Sequence, residues 1–127
     1  MKRLILIVDD SASVRQLVGL TLVNAGYEVL EAVDGGDALA KLDELVKLKD
    51  KKVDMMFVDI NMPNMNGLEF VIQARQIHAY RFIPIIMLTT EAHVSRRHEG
   101  KLAGATGWII KPFKPEQLLN LLTKFLA

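Results

Sequence analysis

Short apolar runs alternate along this chain with segments of helical period, and the alternation predicts its elements. Leu4 to Val8 (LILIV) is continuously apolar and of strand length, the pattern of a strand buried on both faces. Val14, Leu17, Val18, Thr21, Leu22 and Ala25 then share one helical stripe, which stops at Gly26, a residue suited to a helix end. Tyr27 to Ala32 alternates more weakly and reads as a second strand. Gly35-Gly36 open a second helix with Ala38, Leu39, Leu42, Leu45 and Val46 on one face, and KLKDKK reads as its solvated end and a loop. Met55 to Val58 and Ile83 to Leu88 predict the third and fourth strands, Pro84 being tolerable at a strand's first residues. Leu68, Val71, Ile72 and Arg75 begin the helix between them. Glu91 to Ala103 reads as a polar fourth helix and Gly107 to Ile110 (GWII) as a short fifth strand. Pro115 occupies the favoured first position of a last helix that carries Leu118, Leu119, Leu122, Phe125 and Leu126.

Strands that alternate with helices predict a parallel sheet covered on both faces, because each right-handed crossover lays its helix on the sheet. With 127 residues, half of them hydrophobic, one domain spanning 1–127 is expected. At that size an open, doubly wound α/β sheet of five strands is favoured over a closed barrel of eight units. Lysine and arginine total 16 against 15 acids, so a net charge of +1 gives no global attraction to nucleic acid or an anionic membrane. The chain has no cysteine, which excludes disulfides and thiolate metal sites. No apolar run approaches the roughly 20 residues of a bilayer span, and Met-Lys-Arg-LILIV is too short in its apolar part for a signal peptide. A soluble cytoplasmic protein, monomeric and without nucleic-acid or membrane partners, is the expectation.

In such a sheet the ligand site lies beyond the carboxyl ends of the strands. Asp9 and Asp10 follow LILIV, Asp59 follows MMFV, Thr89 and Thr90 follow IIML, and Lys111 follows GWII. Each has an ordinary explanation taken alone. Asp10 or Ser11 could cap the first helix, and Asp59 could form a turn ahead of Asn61, Pro63, Asn64 and Gly67. Thr89 suits a strand end and Lys111 the surface. Jointly those explanations fail, because neither caps nor turns ask for three carboxylates at one edge with a lysine facing them. Two carboxylates about 4 Å apart repel by roughly 4 kcal/mol at an effective dielectric near 20, so three require cations. Lys111 can supply one charge. Oxygen ligands without cysteine or a suitably placed histidine select a hard divalent ion, and Mg²⁺ is the choice because it binds one or two carboxylates together with a phosphate. A bound nucleotide is disfavoured, since neither GxxxxGK[ST] nor GxGxxG is present.

IVDDS, VDINMPNMNGLEF, MLTTE and GWIIKPF, in that order and at those strand ends, resemble the receiver domain of bacterial two-component response regulators, most closely the stand-alone chemotaxis type. The resemblance covers essentially the whole chain and implies a flavodoxin-like (βα)5 fold with strand order 2-1-3-4-5. It implies that Asp59 accepts a phosphoryl group from a sensor histidine kinase, and that Asp9, Asp10, Asp59 and the backbone carbonyl of Asn61 hold Mg²⁺. Thr89 and Lys111 would contact the phosphoryl oxygens, with a cis peptide between Lys111 and Pro112. Thr89 and Trp108 would form the switch, Trp108 standing where chemotaxis regulators usually carry tyrosine. A downstream target would bind the face of the fourth helix, fifth strand and fifth helix. Asn61 and Glu91 would flank the phosphoryl group and influence its hydrolysis. The chemistry agrees with these roles: a carboxylate can serve as nucleophile, and a metal neutralises charge as a phosphoryl group transfers in line.

The expected function is therefore a phosphorylation-driven binding switch rather than an enzyme, with chemotaxis the leading pathway. A phosphorelay intermediate or a receiver fragment of a longer regulator is the alternative; no output domain follows Ala127, so DNA binding by this chain is not expected. The alternative class is a small Mg²⁺-dependent phosphohydrolase of the haloacid dehalogenase type, which places an acid two residues after its nucleophile, where this chain has Asn61. His93, Arg96, Arg97, His98 and Lys101 on the fourth helix read as a solvated face, with an acidic partner surface as the functional possibility.

Overall fold

In the computed structural model, which describes residues 2–48, 51–90 and 94–126, the apolar run Leu4–Val8 forms a first strand, β1, with every residue buried. Its side chains alternate between two cores. Leu4, Leu6 and Val8 enter one, Ile5 and Ile7 the other. A strand can be apolar throughout only if both faces of its sheet are covered. The other strands are β2 (Glu28–Ala32), β3 (Val53–Asp59), β4 (Ile85–Thr89) and β5 (Gly107–Ile110). All pair in parallel, in the order β2-β1-β3-β4-β5. This is the five-stranded doubly wound, flavodoxin-like α/β fold that the sequence predicts.

Among the described residues five helices cover the sheet: α1 (Ala12–Asn24), α2 (Gly35–Leu48), α3 (Gly67–Gln76), α4 (Val94–Ala103) and α5 (Pro115–Leu126). Val18 and Leu22 of α1, with Leu118, Leu122 and Leu126 of α5, close the core that takes Ile5 and Ile7. Ala38 and Leu42 of α2, with Leu68 and Val71 of α3, close the other. No described helix is long and apolar enough to cross a membrane.

Local chemistry sets the helix ends. Ser11, not Asp10, caps α1, its Oγ accepting from the Val14 amide at 3.3 Å. Asn66 caps α3 by accepting from the Glu69 amide at 2.9 Å. At the end of α1, Gly26 adopts φ +97°, and the amides of Gly26 and Tyr27 turn back to the carbonyls of Val23 and Leu22 at 3.0 and 3.1 Å. That pairing satisfies the last carbonyls and favours glycine at the left-handed position.

Three expectations are corrected. The inner face of α1 is Val18, Gly19 and Leu22, whereas Leu17 is 44% exposed and Ala25 is also on the surface. An apolar helix offers more than one plausible stripe, and packing against β1 and α5 selects between them. β3 starts at Val53 rather than Met55, and β4 runs Ile85–Thr89 rather than starting at Ile83, because Ile83 belongs to a loop held by Arg75. A 3-10 turn at His78–Tyr80, absent from the sequence reading, leads into that loop. Glu91, Ala92 and His93, expected in the fourth helix, lie outside the described residues.

Candidate functional site

Asp59 is the last residue of β3 and only 5% exposed. The chain turns sharply after it: the Gly67 amide donates to the Ile60 carbonyl at 2.8 Å. That closeness fixes residue 67 as glycine, since a Cβ there would lie 2.2 Å from the Asp59 carbonyl oxygen. Asp59 therefore sits on a stiff platform, a strand end clamped by the start of α3.

Asp9 follows β1 and is fully buried. Its Oδ1 accepts from the Ser11 amide at 2.9 Å, and its main-chain carbonyl accepts from Arg15 Nη1 at 2.7 Å. Arg15 also pairs with Glu31 at 3.2 Å, which ties the β1–α1 turn to the end of β2. Asp10 is exposed. The three carboxylates nevertheless converge, with one oxygen from each of Asp9, Asp10 and Asp59 within 4.8 Å of the others.

Lys111 enters from the end of β5. Its Nζ donates to Asp9 Oδ2 at 2.8 Å and stands 3.3 Å from Asp59 Oδ1. Its amide donates to the Thr89 carbonyl at 2.7 Å, which extends the β4–β5 ladder to the rim. Thr89 is 1% exposed at the end of β4. The Lys111–Pro112 peptide is cis, as the resemblance implies. Asn61 stands exposed in the loop after β3.

The charges are unbalanced. Burial first, and then the negative charge of Asp9, push the Asp59 carboxyl up to about 6, although Lys111 pulls it the other way. Burial works against the Lys111 ammonium, but its hydrogen bond to Asp9 and the charges of Asp9 and Asp59 hold it above the ordinary lysine range. Among the described residues, one ammonium thus faces three carboxylates. A hard divalent cation with oxygen ligands fits the remaining deficit, and the donor set matches Mg²⁺ chemistry.

The alternation of β4 places Ile85 and Met87 in the core shared by α2 and α3, so Thr89 is directed to the same side of the sheet. Trp108, paired with Met87 across β4 and β5, packs against that core too. Its indole lies over Gly100 of α4, where a Cβ would come within 2.6 Å of Cζ2. Thr89 and Trp108 are therefore diagonal neighbours on one face, with α4 over the indole. His98 and Lys101 of the expected basic face are exposed on α4; His93 is outside the described residues.

Asp9, Asp10, Asp59 and Lys111 are thus brought together, and Thr89 stands on the adjacent strand end. Two positioning residues were not singled out by the sequence reading. Arg15 acts on a main-chain carbonyl, which no side-chain pattern reports. Gly67 was read only as part of a turn; the Asn-Gly step before a helical stripe was the available signal.

The sequence matches the response regulator receiver domain over residues 5–123, and the chain belongs to that family. Its relatives include chemotaxis proteins of the CheY type and transcriptional regulators that carry a receiver in a longer chain. It is 41% identical to chemotaxis protein CheY1 of Helicobacter pylori over 115 residues, covering 90% of this chain and 89% of the relative. It is 41% identical to the CheY homolog of Campylobacter jejuni over 124 residues, covering 97% and 92%. Chemotaxis protein CheY4 of Vibrio cholerae, crystallised at low pH, superposes with a TM-score of 0.90 at 47% identity, covering 98% of this chain and 99% of that one. Membership of the receiver family decides against the haloacid dehalogenase-type alternative.

Proposed function

We propose that this receiver takes a phosphoryl group onto Asp59 from the phosphohistidine of a sensor histidine kinase and thereby switches its affinity for a downstream protein in chemotaxis. The observation that carries the reading is the convergence of Asp9, Asp10, Asp59 and Lys111 at one rim of the sheet. An Asp59 carboxylate oxygen forms a bond to phosphorus as the phosphorus–nitrogen bond of phosphohistidine breaks. The bonding pair leaves with the imidazole, which takes up a proton.

Asp9, Asp10, Asp59 and the carbonyl of Asn61 would hold Mg²⁺. When bound, Mg²⁺ supplies the positive charge that offsets the carboxylates and the incoming phosphoryl oxygens. Lys111 supplies the remaining point charge, and the Thr89 hydroxyl donates to a phosphoryl oxygen. Asn61 stands open in the loop beside the acceptor, where it can influence the approach of water.

The readout follows from the shared face of Thr89 and Trp108. A dianionic group on Asp59 attracts the Thr89 hydroxyl, the volume beside Trp108 changes, and the indole shifts against Gly100 of α4. The face of α4, β5 and α5 then presents a different shape to its target.

Intact mass after incubation with Mg²⁺ and a small acyl phosphate tests the chemistry directly. The expected result is one phosphoryl adduct that requires Mg²⁺ and is missing in Asp59→Asn. An adduct that survives in Asp59→Asn would overturn the assignment of the acceptor. Rapid multiple turnover of phosphomonoesters would overturn the switch itself.

A further inference from the structure

The end of the sheet opposite Asp59, roughly 15–20 Å away along the strands, carries a second concentration of charge. A groove of about 680 Å³ opens there between the start of β1, the end of α2 and the loop before β3. It is lined by the cations Lys2, Arg3, Lys51 and Lys52 over an apolar floor that includes Leu45 and Tyr80. Lys51 pairs with Glu28, and Asp54 is engaged by the Leu4 amide at 2.9 Å. Lys2, Arg3 and Lys52 have no ion pair with any described residue. Arg3, Lys52 and Asp54 continue into a second depression, lined also by His78, Phe82 and Phe125.

Phe82 is 89% exposed, the most exposed of the large apolar side chains described. Single exposed apolar residues are common and need no explanation. What distinguishes Phe82 is the rigidity of its display. Arg75 Nη1 donates to the carbonyls of Tyr80, Arg81 and Ile83 at 3.0, 3.2 and 2.6 Å, while Nε and Nη2 reach the Gly104 carbonyl at 3.0 and 2.8 Å. The loop is therefore pinned on both sides of Phe82 by a half-buried guanidinium. An aromatic side chain carried on a stiff loop is partly preorganised as an anchor, because the backbone ordering cost is already met in the free protein.

We propose that this amino-edge face docks an acidic segment of a partner protein, in which carboxylates meet Arg3 and Lys52 and an apolar side chain packs against Phe82. The cations precede β1 and β3, so they do not belong to the last turns of helices where the dipole alone would explain them. A nucleic acid fits less well. Its continuous phosphates would meet Glu28 and Asp54 inside the groove, whereas a peptide can set its charges to match. The face lies outside the phosphoryl-acceptor site, so docking there does not depend on Asp59.

A displayed library of random dodecapeptides, selected on the wild-type protein and counter-selected on Arg3→Glu/Lys52→Glu/Phe82→Ser, tests the proposal. Enriched peptides are expected to combine several acidic residues with an aromatic or branched aliphatic one. Their affinity should fall at least about tenfold on the triple variant and on Phe82→Ser alone, the pattern of an anchor residue, and stay unchanged on Asp59→Asn. Circular dichroism establishes that both surface variants are folded. Selection without an acidic consensus overturns the proposal, as do binders that require Asp59 or α4. Tighter binding of a labelled single-stranded oligonucleotide at the same residues overturns it in favour of nucleic acid.

Discussion

Lys111 Nζ lies closer to Asp9 Oδ2, at 2.8 Å, than to Asp59 Oδ1, at 3.3 Å. In the unphosphorylated protein the ammonium is thus engaged mainly by a proposed metal ligand, and it competes with a divalent cation for the same oxygen. Lys111→Ala should strengthen Mg²⁺ binding by up to about tenfold, or about 1.4 kcal/mol. The same variant should lose the phosphorylation-dependent change in partner affinity, because no cation then follows the phosphoryl group from the β5 side. A Mg²⁺ titration followed by Trp108 fluorescence checks the first outcome, and partner binding before and after phosphorylation checks the second. Weaker Mg²⁺ binding would show that Lys111 positions Asp9 more than it competes there.

Removal of Mg²⁺ should expose the cost of the acidic cluster. Asp59 titrates near 6 in the folded chain against an ordinary value of 3.8. Between these values Asp59 holds more protons in the folded chain than in the unfolded one, so its contribution to metal-free stability falls as pH rises from about 4 to about 6 and then levels. Asp59→Asn abolishes that titration. In chelator at neutral pH the variant should be more stable than wild type by about 1–3 kcal/mol, and near pH 4 the gap should close. Urea unfolding across pH, with and without Mg²⁺, provides the comparison. A constant gap at all pH values would mean that the gain comes from packing rather than charge.

Gly67→Ala should be severe although it adds one methyl group. The added Cβ would meet main-chain atoms of Asp59 and Ile60, the nearest at 2.2 Å, and backbone cannot rotate away as a side chain can. The expected loss is at least about 2 kcal/mol, as for other overpacked sites. Because the clash is with Asp59 itself, Mg²⁺ affinity should fall too, beyond what global destabilisation explains. Denaturant midpoints and Mg²⁺ titration of the folded fraction separate the two effects. Wild-type stability in Gly67→Ala would require a different turn after β3.

The strand ends were legible because the chain marks them twice, once by an apolar run that must be buried and again by a polar residue directly after it. Asp9, Asp59 and Lys111 follow such runs, and a parallel sheet carries all those ends to one rim. The inner face of α1 was not legible: Leu17, Leu20 and Val23 are apolar and yet 44%, 56% and 55% exposed. Periodicity cannot rank two apolar stripes when the helix has few polar residues to define its outer face. Arg75 shows a different limit. In sequence it marks only the start of the third helix, whereas its guanidinium reaches main-chain carbonyls as far along the chain as Gly104. Hydrogen bonds to backbone leave no residue-type signature, so the loop that displays Phe82 could not be foreseen.

Trp108 replaces a residue that resemblance expects to be tyrosine, and Gly100 shows how the larger ring is accommodated. A Cβ at position 100 would lie 2.6 Å from Cζ2 and 3.3 Å from Cε2 and Cη2 of the indole, so glycine leaves the notch that seats the ring against α4. Gly100→Ala sets two effects in opposition. Alanine favours the helix by about 1 kcal/mol relative to glycine, while the methyl group pushes the ring out of its seat. Trp108 is only half-buried, so the ring can yield where backbone could not, and net stability should change by less than about 1 kcal/mol. The displaced indole should meet more water, and since it is the chain's one tryptophan, its emission should move to longer wavelength. Phosphorylation should then produce a smaller fluorescence change than in wild type, because the ring has already left the position from which the switch would move it. An unshifted emission maximum together with a loss of several kcal/mol would instead make Trp108 a fixed wedge between β5 and α4, and the switch would have to run through Thr89 without it.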